Sequence, residues 1–401
     1  MIQNPIEHRI LLLCATSWLF PEDKELLENL LREGNFSWRK ILFEAKKHDM
    51  VPLLYANFKD FEPGLIDEEI ISEIKRHYHR VTSTNIMFHS ELVKLQRLFS
   101  DAGIPTIVLK GMILIRTVYT DIGLRPMCDL DLLAKPTDWT SINKILRSQG
   151  YTTTENYNLL REGEVYDYSF CFGASEFVKH GPIDVALDLH FNPIWVGNIA
   201  EESLWSRTTV VKEVGVDMLC LCPEHQLAHL CVHLNHHNYM LLKWFVDIYA
   251  LLHRYKEDLD WHYIIEKFAN TGTGVSIYYS LLLTRRLLGS IIPDWVLKPL
   301  TPSVTAKKLF EGTWDIEEIS QLHNPTVKHP DFRMAMMLTK RFRNKYKFIR
   351  NNIFPPLRWL RCRYNDFPSK DIWRLYFLHY WMIFNKNNAE VPTESWTKKS
   401  A

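Results

Sequence analysis

The sequence predicts an α+β fold with a small mixed β-sheet, helices on one face of it, and helical regions before and after it. Residues up to about Ser100 have apolar side chains at helical spacing. Short apolar runs at Ile104–Leu109 and Asp129–Ala134, and an alternating run at Ile183–Phe191, predict strands. From Glu201 onward the pattern is again mainly helical. Strands joined by helices and then by a hairpin are typical of a small mixed sheet.

Composition narrows the classes of protein that the chain can be. It has 401 residues, of which 46% are hydrophobic and 24% charged, as in globular proteins of two or three domains. The net charge of +1 excludes an overall electrostatic preference for nucleic acid or membranes, so such a signal has to be local. The seven scattered cysteines do not suggest a disulfide framework. With neither a secretory signal nor an apolar stretch of membrane-spanning length, we expect a soluble cytoplasmic protein.

The chain divides into four predicted regions. Residues 1–100 form an N-terminal helical region that includes a long amphipathic helix over Ile70–Phe99, ended by Gly103 as C-cap. Residues 101–195 form the core with the sheet, where Val165–Phe172 is a further predicted strand. Residues 196–330 form a helical domain that packs on the core. Residues 331–401 form a basic and aromatic helical tail.

Two aspartates dominate the predicted second strand. Asp129 and Asp131 alternate with Leu130 and Leu132. Residues two apart in a strand point to the same side, so the carboxylates project together while the leucines face a core. Like charges this close repel each other unless a cation lies between them, and a divalent metal with a phosphate substrate is the first hypothesis. The pair alone is weak evidence, because Asp-x-Asp also occurs on solvated strand faces.

Neighbouring residues strengthen the metal hypothesis. Gly111 ends the first strand, where a glycine allows close approach of a phosphate and the following helix offers free N–H groups. Lys110 and Arg125 add positive charge for a triphosphate. The third strand presents Asp184 and Asp188, which lie about 13 Å apart at about 3.3 Å per residue, so both cannot serve one metal cluster.

The motifs resemble those of the poorly characterised nucleotidyltransferases of bacteria, in the polymerase-β-like nucleotidyltransferase superfamily. The resemblance covers roughly Trp38 to Trp261, with weaker similarity beyond. The matching strand motifs are Leu109-Lys110-Gly111, Arg125-Pro126-Met127-Cys128-Asp129-Leu130-Asp131-Leu132-Leu133 and Asp188-Leu189-His190. The matching helix motifs are Glu224-His225 through His233, and Trp244-Phe245-Val246-Asp247.

The resemblance implies a fold, a reaction and a set of site residues. The reaction is transfer of a nucleotidyl group from an NTP to a hydroxyl or phosphate of an unidentified acceptor, with release of pyrophosphate. Asp129 and Asp131 are the implied metal ligands, and Asp188 is the third carboxylate, as ligand or general base. The implied metal is Mg²⁺ or Mn²⁺. The expected nucleotide-binding residues are Lys110, Gly111, Arg125 and His190.

Two alternatives to catalysis remain open at this stage. Met112 follows Gly111 where the wider superfamily usually has Ser or Gly, so a catalytically inactive module that binds nucleotide or a partner protein is the main alternative. A less favoured one is an adaptor for membrane or nucleic acid that uses the tail.

Two further clusters each have a functional and a packing interpretation. His225, His229 and His233 are four residues apart, so they lie on one helical face and can bind zinc there. Because no cysteine pair has the spacing of a zinc ribbon, we favour the interpretation that this helix packs over the sheet. The tail suits a polyanion or an anionic membrane surface, although an amphipathic packing helix is favoured there too. Its basic residues are Lys340, Arg341, Arg343, Lys345, Lys347, Arg350, Arg358, Arg361 and Arg363. Its aromatic residues are Phe342, Tyr346, Phe348, Phe354 and Trp359.

Overall fold

The fold was obtained as a computed structural model of the full chain. The structure describes residues 5–16, 19–153, 155–156, 159–160, 164–165, 167–168, 174–191, 201–289, 292–322, 342–364 and 371–384. Among these residues it has helices around one mixed β-sheet, so the predicted α+β class is confirmed. No helix in the described part of the chain combines the length and the apolar character that crossing a membrane requires.

Within the described residues, six strands form the sheet in the order β3-β4-β2-β1-β6-β5. The central strand β1 pairs with β2 antiparallel and with β6 parallel, and β2 pairs with β4 parallel. The antiparallel pairs β3–β4 and β5–β6 form the two edges of the sheet. The bounds are Thr106–Leu109 (β1), Asp129–Ala134 (β2), Ser175–Lys179 (β3), Val185–His190 (β4), Thr208–Glu213 (β5) and Val216–Leu221 (β6).

The strands β5 and β6 correct the expectation that the chain is mainly helical from Glu201 onward. Both carry residues typical of strands, and the turn between them contains Gly215 at φ 80°, a left-handed conformation that suits glycine. The parallel pairing of β6 with β1 makes this hairpin part of the sheet. Part of the region predicted as a helical domain thus completes the core sheet, while the four-region division stays a prediction.

The predicted strand Val165–Phe172 is wrong for its described residues. Val165, Asp167 and Tyr168 are helical, whereas Tyr166 and residues 169–172 lie outside the described part. Val165 and Tyr168 are both buried in the same apolar cluster. A spacing of three residues brings two side chains to one face of a helix, which explains why the aromatic alternation misled the prediction.

The helices before and within the sheet region follow the predicted apolar pattern closely. The long helix is observed as Glu68–Asp101, and Gly103 adopts φ 70° just after its end, as predicted for its C-cap. The bounds are Ile6–Leu13 (α1), Pro21–Glu33 (α2), Trp38–Lys47 (α3), Val51–Phe58 (α4), Glu68–Asp101 (α5), Lys110–Thr117 (α6) and Trp139–Ser148 (α7).

The helices after β4 include the predicted helix Trp261–Phe268 with both ends correct. The bounds are Glu201–Ser206 (α8), Pro223–His236 (α9), Leu242–Arg254 (α10), Trp261–Phe268 (α11), Gly272–Leu288 (α12), Asp294–Leu300 (α13), Val304–Glu311 (α14), Ile316–Ser320 (α15), Phe342–Ile353 (α16), Leu357–Arg363 (α17) and Ile372–Phe384 (α18).

Apolar side chains pack on both faces of the sheet. On one face Leu130, Leu132 and Leu189 pack with residues of α5 and α7, so this face has the predicted helical cover. On the other face Ile107 and Leu133 join the apolar residues of α9 and α10. Asp129, Asp131 and Asp188 lie on this second face too, where Asp131 is buried and the other two are partly exposed.

The described part of the tail packs against the core. Trp359 is 3% exposed and its ring lies edge-on to Tyr168 at 5.8 Å between centroids. Arg358 is ion-paired with Glu164, and Arg363 Nη1 lies 3.9 Å from a carboxylate oxygen of Glu155. These contacts favour the packing interpretation for α17. Contact of the tail with a polyanion or a membrane stays a prediction, and Lys340 and Arg341 lie outside the described residues.

A buried histidine joins the N-terminal helices to α10. His48 Nδ1 accepts a hydrogen bond of 3.2 Å from the backbone N–H of Leu242, so a neutral ring suits this contact. Burial, with a smaller contribution from Lys47, lowers the pKa of His48 to about 4. The unfolded chain, with a histidine pKa near 6.5, therefore binds a proton that the folded protein rejects.

We expect the free energy of unfolding to fall as pH is lowered from 6.5 to 4, with His48 contributing about 3 kcal/mol of that loss. The variant His48→Asn keeps an acceptor near Leu242 but does not titrate in this range. Urea unfolding of both proteins at pH 7 and pH 4.5 measures the difference, because other buried histidines titrate equally in both. Equal pH dependence in the two proteins would contradict this role.

Candidate functional site

Three carboxylates lie together on two neighbouring parallel strands. Asp131 of β2 is directly opposite Asp188 of β4, and Asp129 is opposite Ala186. Residues paired across neighbouring strands project to the same face, so Asp129, Asp131 and Asp188 share one side of the sheet. Asp184 precedes β4, is exposed and contacts His180 instead. The structure thus places Asp188 on the same sheet face as Asp129 and Asp131 and leaves Asp184 apart. Among the described residues, the group close enough to hold one metal ion contains Asp131 and Asp188 but not Asp129.

Lys110 supplies a cation to the central carboxylate. Leu109, the last residue of β1, pairs with Asp131, and Lys110 follows it with φ 45°, a left-handed conformation that costs a lysine of order 1 kcal/mol. Lys110 Nζ lies 2.5 Å from Asp131 Oδ1, and His190 Nε2 lies 2.9 Å from the same oxygen. The sharp turn at the strand end thus aims the lysine at the carboxylate group.

The three carboxyl groups differ in their protonation. Burial and the charges of Asp131 and Asp129 raise the pKa of Asp188 to about 7. Burial and Asp131 also raise the pKa of Asp129. For Asp131, the ion pair with Lys110 and the hydrogen bond with His190 outweigh burial and lower the pKa. The site therefore carries more negative charge than Lys110 neutralises.

The carboxylates also have free acceptor capacity. In the part of the chain that the structure describes, neither Asp129 nor Asp188 accepts a hydrogen bond, and both polar contacts of Asp131 are made to Oδ1. Ligand atoms of Asp131, Asp188 and His190 lie within 4.8 Å of one another. Oxygen donors at this spacing suit a hard divalent cation, with one imidazole nitrogen at hand.

Arg125 was predicted to bind nucleotide, but the structure engages its guanidinium elsewhere. Its Nε and Nη2 each lie 2.7 Å from one oxygen of Asp247, on α10. Tyr119 donates a further hydrogen bond of 2.8 Å to the same carboxylate. All three side chains are buried. The cluster ties the segment that enters β2 to α10, and nucleotide binding by Arg125 stays a prediction.

The structure gives a steric reason for a glycine at position 111 that differs from the predicted one. Gly111 lies in α6, and an added Cβ would be 3.0 Å from Arg125 Nη1 and 3.1 Å from Met127 Sδ. The glycine thus makes room for the side chains that lead into β2, while close approach of a phosphate stays a prediction. Met112 is buried in the apolar cluster of the opposite sheet face.

Among the described residues, the histidines of α9 do not form a group whose ligand atoms are close enough to hold a metal ion. The group that meets this condition consists of Asp131, Asp188 and His190. His225 Nε2 lies 2.8 Å from the hydroxyl of Tyr263, which agrees with packing. The ring of His233 lies edge-on to Trp244, at 5.1 Å between centroids.

Sequence reasoning missed the part that two residues of these helices play. Burial lowers the pKa of His233 well below its usual value, and the charge of Lys110 contributes to that shift. Asp247 was noted only as part of a motif. Nothing local to Asp247 signals its pairing with Arg125, which is 122 residues away in the sequence.

Comparison with known proteins agrees with this geometry. The family described as uncharacterised nucleotidyltransferases matches residues 34–289, which is more than half of the chain and contains all the site residues above. No curated protein matches the sequence. The chain belongs to this family of uncharacterised nucleotidyltransferases, and is thereby a nucleotidyltransferase whose acceptor is unknown.

Proposed function

We propose that the protein is a Mg²⁺- or Mn²⁺-dependent enzyme that transfers a nucleotidyl group from an NTP to an acceptor hydroxyl or phosphate, with release of pyrophosphate. The observation that carries the proposal is the group of three carboxylates on neighbouring parallel strands, two of which accept no hydrogen bond in the described part of the chain. Excess negative charge with free oxygens is what a divalent cation neutralises.

In this proposal Asp129, Asp131 and Asp188 hold the metal. Carboxylate oxygens suit Mg²⁺, whereas the nearby imidazole of His190 makes Mn²⁺ an equally good occupant if that nitrogen also binds. A bound divalent ion would neutralise charge on the triphosphate oxygens and on the departing pyrophosphate. His190 and Lys110, both in contact with Asp131 Oδ1, would keep that carboxylate ionised and oriented.

Asp188 is the third ligand of this metal or, where Asp129 and Asp131 alone hold it, the general base. In the metal-free protein burial and the two neighbouring carboxylates raise the pKa of Asp188 to about 7, so the group is part-ionised near neutral pH, as a base requires. Lys110 is held in a left-handed turn at the strand end, where its charge can meet both Asp131 and an incoming phosphate. Each role is taken by a residue on the same face of the sheet.

The experiment that tests the proposal is a screen for pyrophosphate release. Purified protein receives ATP, GTP, CTP or UTP in turn, with pools of sugar phosphates, small hydroxyl compounds, peptides or RNA as acceptors. We expect turnover with at least one pair, dependent on Mg²⁺ or Mn²⁺ and abolished by EDTA. NTP binding that is independent of metal, without pyrophosphate release from any pair, would instead indicate the inactive nucleotide-binding module.

A cytoplasmic location belongs to the same proposal. The six cysteines of the described residues are free thiols, as in a reducing compartment. Cell fractionation with an epitope-tagged chain tests it.

A further inference from the structure

A cavity of about 250 Å³ lies between α3, the start of α4 and α5. Its polar lining consists of Lys46, Glu73, Arg76, His77 and Arg80, over a floor that includes the fully buried Ile74. Three cationic side chains therefore face one carboxylate in a concave site. Arg76 and Arg80 are exposed, so an anion can reach this concave surface from solvent.

The charges of this cavity are not balanced within the described residues. Lys46 Nζ is paired with Glu73 at 2.6 Å. Arg76 and Arg80 have no carboxylate partner there, and Arg76 Nε donates to the backbone oxygen of Ser72. The two arginines are four residues apart on α5, where like charges repel and destabilise a helix by about 0.2–0.5 kcal/mol. A bound anion would remove that repulsion.

His77 is suited to donate a hydrogen bond in the same cavity. Burial and the charge of Arg80 lower its pKa, so the ring is neutral at physiological pH. A neutral imidazole carries one N–H and adds no further positive charge. Two guanidinium groups with an adjacent N–H donor are a favourable arrangement for the oxygens of a phosphate group.

A chain of contacts links the wall of this cavity to the strand that carries the carboxylates. Val51, in its lining, follows Asp49 by two residues. Asp49 Oδ2 lies 2.6 Å from Lys243 Nζ, and the same Nζ donates to the backbone oxygen of Pro126 at 3.3 Å. Pro126 leads into β2 and precedes Asp129 by three residues. One ion pair therefore connects the cavity wall to the strand that carries the proposed metal ligands.

We propose that the cavity lined by Lys46, Arg76, His77 and Arg80 binds a phosphate group of the acceptor, which makes the acceptor a phosphorylated molecule. The proposal rests on the proposed nucleotidyl transfer and narrows its substrate class. The acceptor is favoured over the NTP as the source of this phosphate. In the proposed nucleotidyl transfer the triphosphate is bound by Lys110, which contacts Asp131 at the carboxylate site.

The test compares wild-type protein with the double variants R76Q/R80Q and K75Q/K94Q. Lys75 and Lys94 are exposed on the same helix α5 and lie outside the cavity, so the second variant loses the same charge without changing the lining. Calorimetry with inorganic phosphate and with glycerol 3-phosphate, at constant ionic strength and in EDTA, measures binding without the metal. Circular dichroism confirms folding, which we expect because Arg76 and Arg80 are exposed.

For each phosphate compound, we expect the affinities of the wild type and of K75Q/K94Q to agree within twofold. We expect R76Q/R80Q to bind the same compound at least tenfold more weakly than the wild type. Absence of phosphate binding by the wild type, or equal weakening in both variants, would overturn the cavity assignment. Binding of ATP with Mg²⁺ is measured on the same three proteins in buffer without EDTA. If R76Q/R80Q weakens ATP binding as strongly as phosphate binding, the cavity holds the nucleotide and the acceptor assignment is wrong.

That ATP measurement also keeps the two proposals separable. Failure of wild-type protein to bind ATP with Mg²⁺ contradicts the nucleotidyltransferase proposal, whatever the phosphate result. Normal ATP binding with no phosphate binding contradicts the cavity proposal alone.

Discussion

Replacing Asp188 by Asn is expected to lower turnover by a factor of about 10³ or more while it stabilises the metal-free protein. The proposed ligand or base is lost, and either role alone is typically worth 10²–10⁴-fold. Stability moves the other way, because ionised Asp188 is repelled by Asp131 and Asp129 and partly desolvated. We expect the free energy of unfolding in EDTA to rise by about 1–3 kcal/mol at pH 8.

The stabilisation has a defined pH dependence. Because the pKa of Asp188 is raised in the folded state to about 7, the wild type loses stability as pH rises from about 4 to 7. The variant escapes this loss, so the two proteins should unfold alike at pH 4 and differ most above pH 7. Urea unfolding across this range, with pyrophosphate release at pH 8, measures both effects.

Asp184→Asn is the matched control for this prediction. Asp184 precedes the same strand, is exposed and lies outside the carboxylate group. We expect its variant to keep wild-type turnover and to be stabilised by added Mg²⁺ as the wild type is. Addition of Mg²⁺ should stabilise the wild type but not the Asp188→Asn variant. An active Asp188→Asn enzyme would exclude this carboxylate from the reaction.

The strand that carries two of the proposed site residues was predicted correctly from the local sequence pattern. Strand β2 was predicted with both ends as observed, because alternation of Asp129, Leu130 and Asp131 depends only on neighbouring residues. The pairing partner of β2 was not predictable from the strand itself. The register that brings Asp188 opposite Asp131 is set by contacts across the sheet, and the resemblance to a family supplied the choice of Asp188 over Asp184.

The contacts between residues distant in the sequence were not predicted. Arg125 carries the same charge whether it binds a triphosphate or a carboxylate, and only the fold brings Asp247 to it. A glycine at position 111 is expected whether protein side chains or a phosphate approach the backbone closely, so the sequence does not distinguish the two cases. The residues that surround the carboxylates are thus dispersed along the chain, whereas the carboxylates themselves lie in compact motifs.

Replacing Asp247 by Asn is the change expected to cost most stability. Arg125 would keep its buried charge but lose the carboxylate that forms both of its 2.7 Å hydrogen bonds. Removing one partner of a buried pair typically costs 3–5 kcal/mol. We expect the thermal midpoint to fall by about 6–20 °C, measured by circular dichroism. Turnover should fall too, because the segment that Arg125 fixes leads directly into Asp129.

Tyr119→Phe is the control that separates loss of one neutral hydrogen bond from loss of the ion pair. Its hydroxyl donates to the same carboxylate at 2.8 Å, so we expect a cost of only about 1 kcal/mol. The double variant R125M/D247L removes both charges, and should be more stable than Asp247→Asn because no unpaired charge remains buried. A double variant as unstable as the single one would mean that packing around Arg125, and not its charge, holds this segment against α10.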